Sequence, residues 1–331
     1  MFYTDMKTKH PSEIQPLFEE YLRGLSYSHS PENLYAPIRY VLSLGGKRIR
    51  PTLLIMAYNL YADDIETTFD VAAAMEIFHN FTLLHDDVMD KADMRRGYPT
   101  VHKKWNENTA ILSGDGMLVL AYRYLSMTKP EYLKKVLDLA NDTFLGITDG
   151  QQYDMDFESR TDVSISDYLE MIRLKTSVLL AACSKMGGIL GGASEEDTNH
   201  LYRFGEKIGL AFQLQDDLLD VYGDSKIFGK KIGGDIVCNK KTYLYIIARQ
   251  LADSDGQKEL DKWAEYNGED EEAKISGVRS VFDSVNVKGL TENRIELLFE
   301  EAINELNMVS VSSERKQELV VFAHGLMNRV I

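Results

Sequence analysis

Proline is missing from most of this chain. All seven prolines (Pro11, Pro16, Pro31, Pro37, Pro51, Pro99 and Pro130) fall in the first 130 residues, and the remaining 201 hold none. Proline removes a backbone donor, clashes inside a helix and punctuates strand-rich folds. The bare stretch therefore favours long helices. Cysteine is scarce as well. Cys183 and Cys238 are too few for a disulfide framework and lack metal-ligand spacing, which points to a reducing compartment. Cys183 ends the apolar run Ser177-Val178-Leu179-Leu180-Ala181-Ala182-Cys183 and reads as a small core residue. No apolar run approaches the ~18 residues of a membrane span, and Met1 to Lys7 has no apolar signal-peptide segment. A basic surplus is also absent. Lys and Arg number 37 against 52 Asp and Glu, for a net charge of −15, which argues against nucleic acid as a partner. The expected protein is cytoplasmic and has no membrane span.

What remains is an ordinary enzyme-like composition. The chain has 331 residues, 44% hydrophobic and 27% charged, enough to bury a large core without a metal or disulfide staple. No linker-like tract interrupts it, so one domain over 1–331 is expected. Apolar residues recur at helical spacing. Ile295, Leu298, Phe299, Ala302, Ile303 and Leu306 form a one-sided stripe. Alternating strand patterns and hairpin signals are few. The pattern predicts an all-α fold with helices over 12–24, 33–44, 51–62, 66–91, 106–127, 131–156, 166–190, 195–222, 241–252, 271–286, 292–307 and 312–328. The acidic run Gly268-Glu269-Asp270-Glu271-Glu272 reads as a solvated helix start rather than a site.

One short pattern occurs twice. Asp86-Asp87-Val88-Met89-Asp90 is echoed by Asp216-Asp217-Leu218-Leu219-Asp220, each inside an apolar helical run. Asp is 27 of 331 residues, so chance supplies only about 0.2 such patterns. Residues i and i+4 share a helix face, which stacks Asp86 on Asp90 and Asp216 on Asp220. Like charges at that spacing repel by a few tenths of a kcal/mol when exposed, and by more when buried. A cation should offset this. Mg²⁺ fits, because it takes hard oxygen ligands and bridges one or two carboxylates to substrate phosphates. An EF-hand reading fails for want of the loop spacing and glycine that calcium requires. Cationic companions lie nearby in the sequence. Gly45-Gly46-Lys47-Arg48-Ile49-Arg50-Pro51 places three cations at a helix start, a suitable diphosphate cradle. Arg95-Arg96 follows the first cluster, and His79 precedes Asp86 by two turns.

These segments, together with Leu174-Lys175-Thr176, Phe212 to Asp220 and Gly229-Lys230-Lys231-Ile232-Gly233-Gly234-Asp235, resemble the trans-isoprenyl diphosphate synthases of the polyprenyl synthetase family. The similarity runs from Gly45 to about Lys241 by motif and onward by helical pattern. The resemblance implies a single-domain barrel of long helices around a central cavity, the isoprenoid synthase fold, and a homodimer. It implies that Asp86, Asp87, Asp90, Asp216, Asp217 and Asp220 hold Mg²⁺, three ions with substrate bound, against the diphosphate of an allylic substrate. Arg95, Lys175, Lys230 and Lys240 would contact that diphosphate. Lys47, Arg50, His79 and Arg96 would bind isopentenyl diphosphate, with Thr176 and Gln213 beside the reacting carbons. The implied activity is head-to-tail condensation of isopentenyl diphosphate with an allylic prenyl diphosphate to an all-trans product.

Product length should depend on what floors the cavity below the first cluster. Phe81 precedes Asp86 by five residues, about 7.5 Å along a helix axis. Phe78 lies a turn deeper and Met75 one more. An aromatic at the position of Phe81 resembles short-chain members making fifteen- or twenty-carbon products. The small Thr82 and the uninterrupted first cluster lean toward geranylgeranyl diphosphate. Two alternatives share the fold. A terpene cyclase would carry an Asn/Asp–Ser/Thr–Glu metal motif in place of the second aspartate cluster, and none is present. A non-catalytic subunit of a heteromeric synthase would have lost metal aspartates, whereas this chain keeps six.

Overall fold

The computed structural model describes residues 8–27, 29–223 and 232–328. Helices dominate throughout. In chain order they are α1 (Pro11–Gly24), α2 (Glu32–Ser43), α3 (Ile49–Asn59), α4 (Phe69–Met89), α5 (Val101–Lys104), α6 (Glu107–Leu125), α7 (Pro130–Ser159), α8 (Ile165–Ile172), α9 (Val178–Leu190), α10 (Glu195–Tyr222), α11 (Gly234–Val237), α12 (Tyr243–Leu251), α13 (Ser254–Ala264), α14 (Glu271–Ser284), α15 (Val287–Met308) and α16 (Ser313–Asn328). The expected helices are present, with ends shifted by a few residues. The acidic run near 270 is a helix start, as expected. Asp270 caps α14 by accepting from the backbone of Ala273 at 2.9 Å.

The chain gathers into two compact units. The first takes residues 1–141, 182–201 and 309–322, and the second takes 142–181, 202–308 and 323–331. In the first unit α3 is buried without a break from Pro51 to Asn59, and α4 from Val71 to Phe78. Such helices have no solvent face and so show no one-sided stripe. Against them Ile14, Phe18 and Leu22 pack from α1, with the Phe18 ring edge-on to Phe69 at 6.0 Å. Burying these three apolar side chains contributes roughly 1.5–3 kcal/mol each. Cys183 is buried, as its apolar run predicts. The core of the second unit joins Tyr168, Met171 and Ile172 of α8 to Leu210, Leu214 and Leu218 of α10 and to Phe282 and Leu298.

Three local features depart from the sequence pattern. Residues 94–99 form a small hairpin, Met94 opposite Pro99 and Arg95 opposite Tyr98. Its turn is Arg96-Gly97, with φ of 53° and 80°, the positive-φ pair that a two-residue hairpin needs. An Arg in the first position conceals that signal. Helix α13 was not expected, because its polar sequence carries only Leu260 into the core. The helix expected over 166–190 is interrupted by a π-helical turn at Arg173–Ser177. Two glycines grip that turn. A Cβ on Gly150 of α7 would lie 2.4 Å from the Lys175 backbone nitrogen, and one on Gly209 of α10 would lie 2.5 Å from Ser177 Cα. Neighbouring helix backbones thus reach the turn directly, and such π turns recur at functional sites.

Candidate active site

The first aspartate cluster closes the C-terminal turn of α4. Asp86 and Asp90 keep their i, i+4 relation, with the Asp90 amide donating to the Asp86 carbonyl at 2.8 Å. Lys91 then takes a φ of 52° and ends the helix. The second cluster occupies the last two turns of α10, which ends at Tyr222. Both carboxylate sets therefore sit at the negative end of a helix dipole, the reverse of the stabilising arrangement. Placing anions there costs stability unless a cation is supplied.

The middle aspartate of each cluster is turned inward. Asp87 is 5% exposed and Asp217 is 4% exposed. Arg95 of the hairpin donates to Asp87 Oδ1 through Nε at 2.9 Å and Nη2 at 2.6 Å, and Nη2 lies 3.8 Å from Asp86 Oδ2. Burial pushes the Asp87 carboxyl up, opposed by Arg95. Asp217 receives the Tyr168 hydroxyl on Oδ2 and Gln213 Nε2 on Oδ1, the latter at 3.1 Å. Burial, followed by the charge of Asp235, pushes the Asp217 carboxyl up to about 8.

In the first unit the cradle residues converge. Arg50 Nη1 donates to His79 Nε2 at 3.1 Å, which requires that nitrogen to be unprotonated. Burial, then the charges of Arg50, Arg96 and Arg95, holds His79 well below the usual imidazole range. Arg50 Nε is buried and has no hydrogen-bond partner. Arg96 donates to the Gly45 carbonyl and its guanidinium lies over Gly46 (φ 147°), 3.1 Å from where a Cβ would stand. Lys47 is exposed beside them. Arg48 is not available to this group. It turns into the core, where Glu19 and Glu76 each accept from it at 2.5 Å. Of the expected floor residues, Phe78 is buried and Phe81 half-buried, their rings 5.5 Å apart. Phe81 also stacks edge-on against His85 at 4.8 Å. Thr82 donates to the His79 carbonyl one turn back.

The second unit holds a cavity of about 250 Å³ lined by Asp216, Asp217, Asp220, Lys175, Thr176, Gln213 and Lys240. Seven sequence-predicted residues thus share one wall. Lys230 lies outside the described residues. Asp154, Tyr168 and Asp235 also line it, outside the sequence-predicted set. Asp154 of α7 accepts from Lys175 Nζ at 2.6 Å. Tyr168 contacts Asp217, and Asp235 donates its backbone amide to Asp220 Oδ2 at 3.0 Å. Asp235 ends the glycine-rich motif, which is the signal that marks it. Burial, together with Asp220, Asp216 and Asp154, pushes its carboxyl up to about 6 against the opposing charge of Lys240. Thr176 donates to Gln213 Oε1 at 3.1 Å. Among the described residues no three acidic, imidazole or thiol side chains form a ready-made metal site. An ion held here would need oxygens from water and substrate as well, which is the usual coordination habit of Mg²⁺.

The helical fold carries hard oxygens at two helix C-termini, one set lining a cavity with Lys175 and Lys240, and the first unit adds a group of cationic side chains. The polyprenyl synthetase family model matches residues 31–281, and the chain belongs to that family. It is a prenyltransferase with the all-helical isoprenoid synthase fold. The geranylgeranyl diphosphate synthase of Methanosarcina mazei is 44% identical over 220 residues, covering 66% of this chain and 68% of that one. The geranylfarnesyl diphosphate synthase of Natronomonas pharaonis is 41% identical over 237 residues, covering 66% and 70%. A crystal structure of a geranylgeranyl pyrophosphate synthase superposes with a TM-score of 0.92 at 40% identity, over 97% of this chain and 99% of that one. No helix among the described residues is long and apolar enough to cross a membrane.

Proposed function

We propose that this prenyltransferase condenses isopentenyl diphosphate head-to-tail with an allylic diphosphate and releases an all-trans product of twenty carbons. The observation that carries the reading is the cavity of the second unit. It sets Asp216 and Asp220 beside Lys175, Lys240, Thr176 and Gln213 on one wall. Asp216 and Asp220, and in the first unit Asp86 and Asp90, are the carboxylates assigned to Mg²⁺. Their fit to a divalent cation rests on the all-oxygen donor set and on their place at helix C-termini, where the helix dipole disfavours anions and favours a cation. Asp87 and Asp217 are expected as ligands too, but Arg95 takes one oxygen of Asp87, and Tyr168 and Gln213 take both oxygens of Asp217. Asp217 then stands behind the ligands, whereas Asp87 keeps one oxygen for a cation.

The chemistry follows from charge. The bond between the allylic carbon and the diphosphate oxygen breaks with its electron pair leaving on oxygen. When bound, Mg²⁺ supplies positive charge that stabilises the departing anion. Lys175 and Lys240 of the same cavity add cationic donors for that charge, and the family resemblance gives Arg95 the same role. Thr176 and Gln213 present oxygen dipoles to the allylic cation, which must be kept from water. Lys47, Arg50, His79 and Arg96 hold the second diphosphate, and the unpartnered Arg50 Nε is a donor awaiting an anion. The isopentenyl double bond supplies the electron pair for the new carbon–carbon bond. A proton then leaves to the released diphosphate, since among the described residues no side chain stands out as a base. The enzyme works as a homodimer, for which the apolar outer side of α6 is the candidate contact. The test is incubation with labelled isopentenyl diphosphate, each allylic primer in turn and Mg²⁺, followed by chromatography of the dephosphorylated products. A twenty-carbon alcohol is expected, and no incorporation with any primer overturns the reading.

A further inference from the structure

We propose that Tyr168 is a positioning residue for the condensation, acting through Asp217 to fix the orientation of the Gln213 amide and, through it, the Thr176 hydroxyl. The inference deepens the assignment above and rests on it. Four side chains from three segments form a single relay. Tyr168 of α8 donates its hydroxyl to Asp217 Oδ2. Asp217 Oδ1 accepts from Gln213 Nε2 at 3.1 Å, one helical turn back on α10. Gln213 Oε1 accepts from Thr176 Oγ1 of the π turn at 3.1 Å. Tyr168 and Asp217 are each 4% exposed, and all four residues line the same cavity.

The direction of the relay matters because an amide has two unlike ends. Asp217 Oδ1 accepts whether or not the far oxygen carries a proton, and so draws the NH₂ of Gln213 toward itself. That leaves the carbonyl oxygen facing Thr176, which uses its proton on that oxygen and keeps its own lone pairs outward. Two oxygen dipoles then border the place where positive charge develops. With the amide turned over, NH₂ would face a carbocation, and its positive end would oppose the charge it should stabilise. Nothing on α10 alone enforces the correct orientation, since Gln213 and Asp217 are simply i and i+4. The Tyr168 hydroxyl holds Asp217 from the opposite side, so the carboxylate has one position from which to hold Gln213. A phenylalanine would pack as well as tyrosine here and would lose only that hold.

The full-length enzyme is tested as wild type, Tyr168→Phe, Gln213→Leu and the double variant, with isopentenyl diphosphate, an allylic primer and Mg²⁺. Hydrogen-bond partners one layer behind reacting groups typically account for 10- to 100-fold in activity, so Tyr168→Phe is expected to lower kcat by about tenfold or more. KM for isopentenyl diphosphate and the Mg²⁺ half-saturation should stay within twofold. A larger share of the primer should be released as free allylic alcohol instead of condensed product. The double variant should be no slower than Gln213→Leu alone, because both changes break one relay. Should Tyr168→Phe melt early, Asp217→Asn carries the same cycle, again with an unchanged Mg²⁺ requirement. An unchanged kcat, additive losses, or a raised Mg²⁺ requirement for Asp217→Asn overturns the proposal. Wild type measured alongside separates the two failures. No condensation by wild type sinks the reaction assignment, whereas condensation at equal rates by wild type and Tyr168→Phe sinks the relay alone.

Discussion

At the scale of single residues, the site is a set of charges held in the wrong company until substrate arrives. His79 shows this most directly. Its Nε2 accepts from Arg50, and burial and four arginines disfavour a positive charge on the ring. A diphosphate reverses the electrostatic part of that penalty while leaving the burial part. The imidazole titration, well below 6.5 in the free protein, should therefore move upward when inorganic pyrophosphate binds, and binding should tighten as the pH falls through the raised value. Imidazole NMR with and without pyrophosphate reads the shift directly, and an unmoved titration would remove His79 from the cradle. Phe81 is the corresponding residue on the apolar side. Its ring lies between Phe78 and His85 on α4, above a buried Phe78 that has nowhere to go. The family resemblance makes Phe81 the floor of the product cavity, and truncation to alanine removes that ring, so Phe81→Ala should shift the product from twenty carbons toward longer chains, read by chromatography. The same product distribution as wild type would show that the floor lies elsewhere.

At the scale of elements, the helices and both aspartate clusters were legible because each leaves a periodic or repeated mark. Asp86 and Asp90, and Asp216 and Asp220, sit at the ends of α4 and α10 on the spacing their sequence shows. The inward turn of Asp87 and Asp217 was not legible, since one residue's offset on a helix means nothing until the neighbours are known. Tyr168 and Asp154 were missed for the same reason: their partners come from other segments. Nor does any pattern announce the π turn at Arg173–Ser177, which owes its place to close backbone approach. Gly150 makes the point quantitative. Alanine gains about 1 kcal/mol over glycine in a helix interior, so propensity alone predicts that Gly150→Ala stabilises. The added Cβ would stand 2.4 Å from the Lys175 nitrogen, against backbone that cannot swing aside. Overpacking of this kind costs about 1–3 kcal/mol or more, so the variant should melt lower and lose activity through a displaced Lys175 and Thr176. Thermal melting paired with kcat decides it, and a raised melting temperature would mean the turn yields freely.

At the scale of the whole molecule, the question is what covers α6. Ala110, Ser113, Gly114, Met117, Ala121 and Leu125 are buried along one side of this helix. On the opposite side Ile111 is 44% exposed, Leu112 60% and Val119 68%. These three lie within about one third of the helix circumference at 100° per residue, with the exposed Asp115 among them. Three large apolar side chains grouped in the open on one helix face mark an interaction site even with a carboxylate among them. A second copy of the chain is the simplest cover, since a two-fold contact lets the same stripe meet itself. Leu112→Glu with Val119→Glu would set four carboxylates, two from each copy, into that contact. Desolvating like charges with no partner is strongly unfavourable, whereas on a solvent-facing helix the same change is nearly neutral. Wild type should therefore elute with light-scattering mass near twice 37.7 kDa, and the double variant near 37.7 kDa with its helical content intact. A wild-type monomer at micromolar concentration, or a double variant that stays dimeric, would place the contact on another surface and leave the α6 stripe without a partner.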